Sequence, residues 1–401
     1  MLNGIPRRAY LARRRRVRKA MAERGLKALV IVANPSAAAV YTGSHGHLRY
    51  LADWSDRFGP SLLFLPDEGD PALIVPSGLS VGAAQAATGL RGVRAESPTN
   101  FGRLAAQWIS ERGLDPHEVG LVGGNEMAYP ARRDLERALG GRELPAADEI
   151  LTALRLVKGP EELAILREAA RLSDLMHAAF IRESRRAGAW CYRVQAAMEH
   201  AAKREGAELT TAWFASGRAA DRQRSMPWDN RVRIRAGDQL LSGTYVILRG
   251  YYGHAIRMAV KGRPTATQER LHVAVLESQG AALAKIQPGA DAADVNAAAE
   301  AVLFHHFPAA RTTPNRFRIG HAMGLDYSEP PVTAAFPQPA SWSTFPSPAP
   351  ASVRLRAGMV LEIHPNFFLK GVGGAALGDM VLVTNTGATL LTKFPRRLHR
   401  V

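Results

Sequence analysis

Gly358-Met-Val-Leu-Glu-Ile-His-Pro365 is an apolar run closed at its two ends by glycine and proline. It reads as a buried strand over Met359–His364. Side chains alternate along a strand, so Glu362 and His364 point to the same face. An acid and an imidazole sharing the face of a buried strand make this stretch a candidate for chemistry as well as for core.

Working outward, Asp379–Val383 reads as a second strand, and Gln239–Val246 and Ala255–Val260 as two more. Tyr192–Glu205, Gln268–Leu283 and Ala292–Phe304 carry helical spacing. Between strands, Gly371-Val-Gly-Gly-Ala-Ala376 reads as a glycine-rich turn, without the strand-to-helix order of a phosphate loop. Pro/Ser/Ala-rich sequence from 331 to 350, with Trp342 and Phe345, reads as an ordered surface loop. Helices beside mostly antiparallel strands predict an α+β domain.

Upstream, Ala153-Leu-Arg-Leu-Val-Lys-Gly-Pro160 ends in a breaker. A long helix follows, with Glu161 and Glu162 in its first turn, where acids suit the helix dipole. We place the boundary here, giving domains 1–150 and 151–401. In the first domain, strands at Ala28–Val32, Ser61–Leu65, Ala72–Val75 and Val119–Val122 alternate with helix-like Val81–Ala87 and Phe101–Glu111, an α/β pattern.

The 401 residues suit two domains, and a hydrophobic fraction of 46% argues against disorder. Net charge is +16, which raises nucleic-acid binding. The charge concentrates in Arg7, Arg8, Arg13, Arg14, Arg15, Arg16, Arg18 and Lys19, within a helical segment Ala9–Glu23. It reads as a solvated face, and no nucleic-acid-binding spacing accompanies it. Cys191 is the single cysteine, which rules out internal disulfides and thiolate-rich metal sites. The N-terminus does not read as a signal peptide, and no stretch reaches the ~20 apolar residues of a membrane helix. A soluble cytoplasmic protein is expected.

Six segments in order resemble the creatinase/prolidase/methionine-aminopeptidase family. They are Leu156-Val-Lys-Gly-Pro-Glu-Glu-Leu163, Gly237-Asp238, Gly250-Tyr-Tyr252, Gly320-His-Ala-Met-Gly-Leu325 with Glu329-Pro330, the Gly358 strand, and Gly378-Asp-Met-Val-Leu-Val-Thr384. Met21-Ala-Glu-Arg-Gly-Leu26 and Leu48-Arg-Tyr-Leu51 resemble the family's N-terminal domain. The resemblance implies a pita-bread catalytic domain behind a smaller α/β domain, and a homodimer. It also implies five ligands for two metal ions: two Asp, one His and two Glu. Those positions fall here on Gly243, His254, His321, His364 and Gly378. Four of the five are changed. A proton-shuttling His of the prolidase branch falls on Ser328, and another substrate-side His falls near Met226.

Two hard divalent ions need bridging carboxylates, so the changes argue against a dinuclear Mn or Co centre. Three imidazoles at converging positions, His254, His321 and His364, suit one divalent transition metal such as Fe, Zn or Mn. The alternative is metal-free acid/base chemistry, as in creatinase, with His321 as the base. Creatinase's substrate-binding glutamates match Ile256 and His364, so a guanidinium substrate would lose its partners here. Asp326 and Glu362 are further catalytic candidates. Tyr252 and Glu329 are candidates to touch substrate, as are Trp54 and Arg57, which with Phe58 lie where the N-terminal domain reaches a partner's site in creatinase-like dimers. His45 and His47 read as a loop or dimer contact, and Arg257 as a structural pairing. The expected function is a non-peptidase enzyme cleaving a C–N bond, by hydrolysis or lysis, in a small amino-acid-like substrate. An Xaa-Pro peptidase of altered metal preference, a single-iron oxidative enzyme and an inactive binding protein stay open.

Overall fold

A computed structural model describes residues 4–35, 45–222, 230–336 and 353–401. Met226 and the segment carrying Trp342 and Phe345 lie outside the described residues. Contacts divide the chain into two units: one ends at Arg155 and includes Leu325–Tyr327, and the other holds Leu156–Gly324 and Ser328–Val401.

The first unit is built on a five-stranded mixed sheet, in which Ala28–Ala33 lies between Ser61–Pro66, antiparallel, and Val119–Val122, parallel. Val30, Phe64 and Leu121 pack with Trp108 and Leu135 from the helices Phe101–Glu111 and Tyr129–Ala138. The basic helix Arg7–Ala22 corrects one expectation. Arg13 and Arg14 are buried, Arg13 against the Tyr50 ring and Arg14 donating to the Leu51 carbonyl at 2.9 Å. Their apolar stems pack while the heads find carbonyls and an aromatic face. His45 and His47 stand in a helix, His45–Ala52, rather than in a loop.

In the second unit, Gln239–Leu248 and Tyr251–Val260 form a ten-residue hairpin in full register. Its two-residue turn has φ of 50° at Arg249 and 81° at Gly250, the positive pair that matches strand twist. Leu209–Gly217 adds to the hairpin's outer side. A separate sheet carries Gly320–Ala322, Val360–Ile363, Asp379–Val383 and Ala388–Leu390. The two sheets meet at one bridge, where Ile256 and Gly378 exchange backbone hydrogen bonds of 3.0 and 3.1 Å. The helices Pro160–Ser184, Cys191–Lys203, Ala266–Lys285 and Ala292–His306 belong to the same unit. The expected glycine-rich turn is in part a strand, Gly373–Ala376, paired with Asn366–Leu369. Gly374 is there for closeness: a Cβ would lie 2.3 Å from the Ala220 carbonyl oxygen. No helix among the described residues is long and apolar enough to cross a membrane.

His177, on the long helix, is fully buried and stacks on Phe394 at 5.8 Å. Burial, aided by the Arg257 charge, holds its pKa well below the ordinary value of 6.5. Below that value the unfolded chain takes a proton that the folded chain refuses. Stability is therefore lost as pH falls, by about 1.4 kcal/mol per unit for this one group. Urea unfolding of the His177→Phe variant between pH 7.5 and 5 should show a slope shallower by that amount. An unchanged slope would contradict it.

Candidate active site

Strand register brings the candidate residues together. Glu362 pairs directly with His321 across the second sheet, and His364 follows two residues later, its N–H donating to the Ile319 carbonyl at 2.7 Å. His254 sits on the hairpin's return strand, two residues before the bridge at Ile256. Ring centroids of His321 and His364 are 5.1 Å apart, and those of His254 and His364 6.4 Å. All four side chains are buried, Glu362 completely.

Glu362 is the hub. Its Oε1 is hydrogen-bonded to His254 Nδ1, and its Oε2 lies 3.0 Å from His321 Nε2. Burial alone would push its carboxyl up. The neighbouring His254 and His364 and hydrogen bonds from His254 and His321 outweigh that and hold it well below the ordinary carboxylate range. Burial lowers His321 as well and brings His364 down to about 3, so both rings are neutral at pH 7.

Each ring has polar neighbours. His321 Nε2 lies 3.0 Å from Glu362 Oε2, within hydrogen-bond reach of the carboxylate, and its Nδ1 lies 3.2 Å from the Ala322 carbonyl. Asn366 donates to His364 Nδ1 at 3.1 Å, placing that ring's proton on Nε2, a buried N–H with no partner among the described residues.

The cluster offers donors that could hold a divalent ion. Donor atoms of His321, Glu362 and His364 lie within 4.8 Å of one another, the compact set among the described residues that could hold one. Donors on a tetrahedral ion with bonds near 2.0–2.1 Å stand ~3.3 Å apart, close to the His321–Glu362 separation. His364 would serve as third ligand with its proton on Nδ1 and the Asn366 amide turned to accept from it. His254 belongs to the cluster through Glu362. The pair of ions implied by the resemblance does not fit: Gly243 and Gly378 offer no donor, and Glu362 is the carboxylate of the compact set.

The other candidates fall elsewhere. Asp326 groups with the first unit, where its carboxylate is ion-paired with Arg155 and 3.6 Å from His45 Nδ1, so it is engaged by a guanidinium rather than by His321. Glu329 is buried in an ion pair with Lys158 at 2.6 Å, a structural commitment that takes it from the substrate role expected for it. Tyr252 is fully buried, its N–H donating to the Gly324 carbonyl at 2.8 Å. Trp54 is half-buried and Arg57 exposed, both in the first unit. Ser328 is half-buried. Sequence reading missed Trp213, which pairs across the strands with Gly243 and lays its indole over it. Only the strand register could reveal that pairing.

Residues 164–385 match metallopeptidase family M24, and residues 13–157 match the creatinase/prolidase N-terminal domain. The chain belongs to metallopeptidase family M24 and carries that N-terminal domain; its catalytic unit has the pita-bread fold. YkvY of Bacillus subtilis, which carries a provisional dipeptidase name, is 26% identical over 84% of this chain and 87% of its own. The Xaa-Pro dipeptidase of Pyrococcus horikoshii is 25% identical over 68% of this chain and 73% of its own. The structure of dipeptidase PepE from Mycobacterium ulcerans is 25% identical, covers 100% of both chains and superposes with a TM-score of 0.76. The α/β plus pita-bread architecture expected from sequence is the one found.

Proposed function

We propose that the protein is a hydrolase that cleaves a C–N bond in a small amino-acid-like substrate, with one divalent ion at His321, Glu362 and His364. The observation that supports it is the buried trio His321, Glu362 and His364, whose donor atoms lie within 4.8 Å of one another. When bound there, a metal of the Zn, Fe or Mn type supplies Lewis acidity and a water activated near neutral pH. Two imidazoles and a carboxylate are a ligand set used by hydrolytic zinc and by non-haem iron. The hydrolase family favours the first use.

His254, hydrogen-bonded to Glu362, holds the carboxylate in register. Burial keeps bulk water from the cluster. The cytoplasmic setting, the homodimer with Trp54 and Arg57 near a partner's site, and the absence of nucleic acid or membrane from its partners are part of the same proposal.

A second reading has its own support. The relatives include an Xaa-Pro dipeptidase, which raises the peptidase that sequence reading ranked below a non-peptidase enzyme. Against it stand the glycines at two ligand positions. One assay separates them: the metal-loaded protein is offered Xaa-Pro dipeptides and non-peptide amides and amidines, and release of the amine is followed. Turnover of the second group alone is expected. Robust Xaa-Pro turnover would make it a peptidase, and no cleavage of either group would overturn the proposal.

A further inference from the structure

Gly378 and Gly243 are not glycines for conformational reasons. Their backbones lie outside the left-handed region, so a side chain is conformationally admissible at each. What excludes one is occupied space. A Cβ on Gly378 would stand 2.7 Å from Glu362 Oε1, 2.9 Å from Ile256 Cγ1 and 3.0 Å from the His364 Cβ. A Cβ on Gly243 would stand 2.1 Å from Trp213 Nε1. Each glycine therefore has a large partner filling the volume above it, a carboxylate in one case and an indole in the other.

We infer that Glu362 and Gly378 are an exchanged pair: Glu362 supplies the carboxylate ligand from the space that a side chain at 378 would fill, and His254 positions it. The inference rests on the reading that the centre holds a divalent ion. Three observations converge on it. Glu362 Oε1 occupies the 378 side-chain volume while Oε2 lies 3.0 Å from His321 Nε2. His254 Nδ1 holds Oε1, the outer-shell contact that orients a ligating carboxylate. Trp213 closes the volume over Gly243, so the acid gained at 362 is not joined by another on that side, and one ion is accommodated.

The test is cobalt(II) titration of the chelator-stripped full-length chain, read by the visible absorption of the bound ion and by elemental analysis, without substrate. The wild type should take one cobalt per chain. Glu362→Gln keeps the shape and loses the charge, and should weaken binding by at least about 100-fold, while His254→Gln should weaken it by ~10–100-fold with the stoichiometry retained. The exchange variant Glu362→Thr with Gly378→Glu returns a carboxylate to the same volume and should bind cobalt at least ~10-fold more tightly than Glu362→Thr alone. Circular dichroism confirms that each variant is folded. A folded Glu362→Gln that binds as the wild type does would overturn the inference, as would two cobalt ions per wild-type chain or an exchange variant no better than Glu362→Thr. Binding of one ion without cleavage of any C–N substrate would leave the exchange standing and sink only the proposed reaction.

Discussion

Replacing Arg257 by methionine is expected to destabilise the protein by about 3–5 kcal/mol, the usual cost of stranding one partner of a buried ion pair. Arg257 is fully buried and makes five hydrogen bonds: to the Ile256 and Gly378 carbonyls at 2.8 and 2.7 Å, to Asp379 Oδ1 at 2.6 Å, and twice to the Phe394 carbonyl. It thus grips both sides of the bridge that joins the two sheets and so fixes His254 against Glu362. Without it, Asp379 keeps Thr392 and Gln279 as side-chain donors among the described residues. Thermal unfolding should move down by roughly 10 °C. Arg257→Lys keeps the charge but not the fork, and should fall between. A methionine variant as stable as the wild type would contradict the role assigned here.

Replacing His321 by alanine is the second large effect. Its Nε2 lies 3.0 Å from Glu362 Oε2 at the middle of the cluster, and acid/base or ligand duty falls on it under either functional reading. Loss of one such group costs roughly 10²–10⁴-fold in rate. We therefore expect kcat/KM to fall within that range and the bound ion to be lost, with the variant still folded. Full activity in the variant would remove His321 from the mechanism.

Much of this was legible before any coordinates. Helix Phe101–Glu111 and strand Asp379–Val383 end where their patterns end, because each is a local apolar run with clear stops. The alternation that set Glu362 beside His364 is local too. What escaped was non-local. Leu209–Gly217, Leu-Thr-Thr-Ala-Trp-Phe-Ala-Ser-Gly, has no clean alternation, since its inner residues are all buried against the hairpin, and Trp213 went unnoticed with it. Arg13 and Arg14 look solvated in sequence and are buried because Tyr50 and Leu51 wait in another element. Asp326 and Glu329 sit near His321 in the chain, yet Arg155 and Lys158, 171 residues away in each case, claim them. That two glycines had counterparts in Glu362 and Trp213 needed three dimensions.

The central claim is that one buried cation site, built on His321 and Glu362, has taken the place of a two-ion centre. Elemental analysis of protein purified without chelator tests it most directly. The account predicts close to one transition-metal ion per chain, lost in Glu362→Gln; two ions per chain, or none with hydrolysis intact, would contradict it.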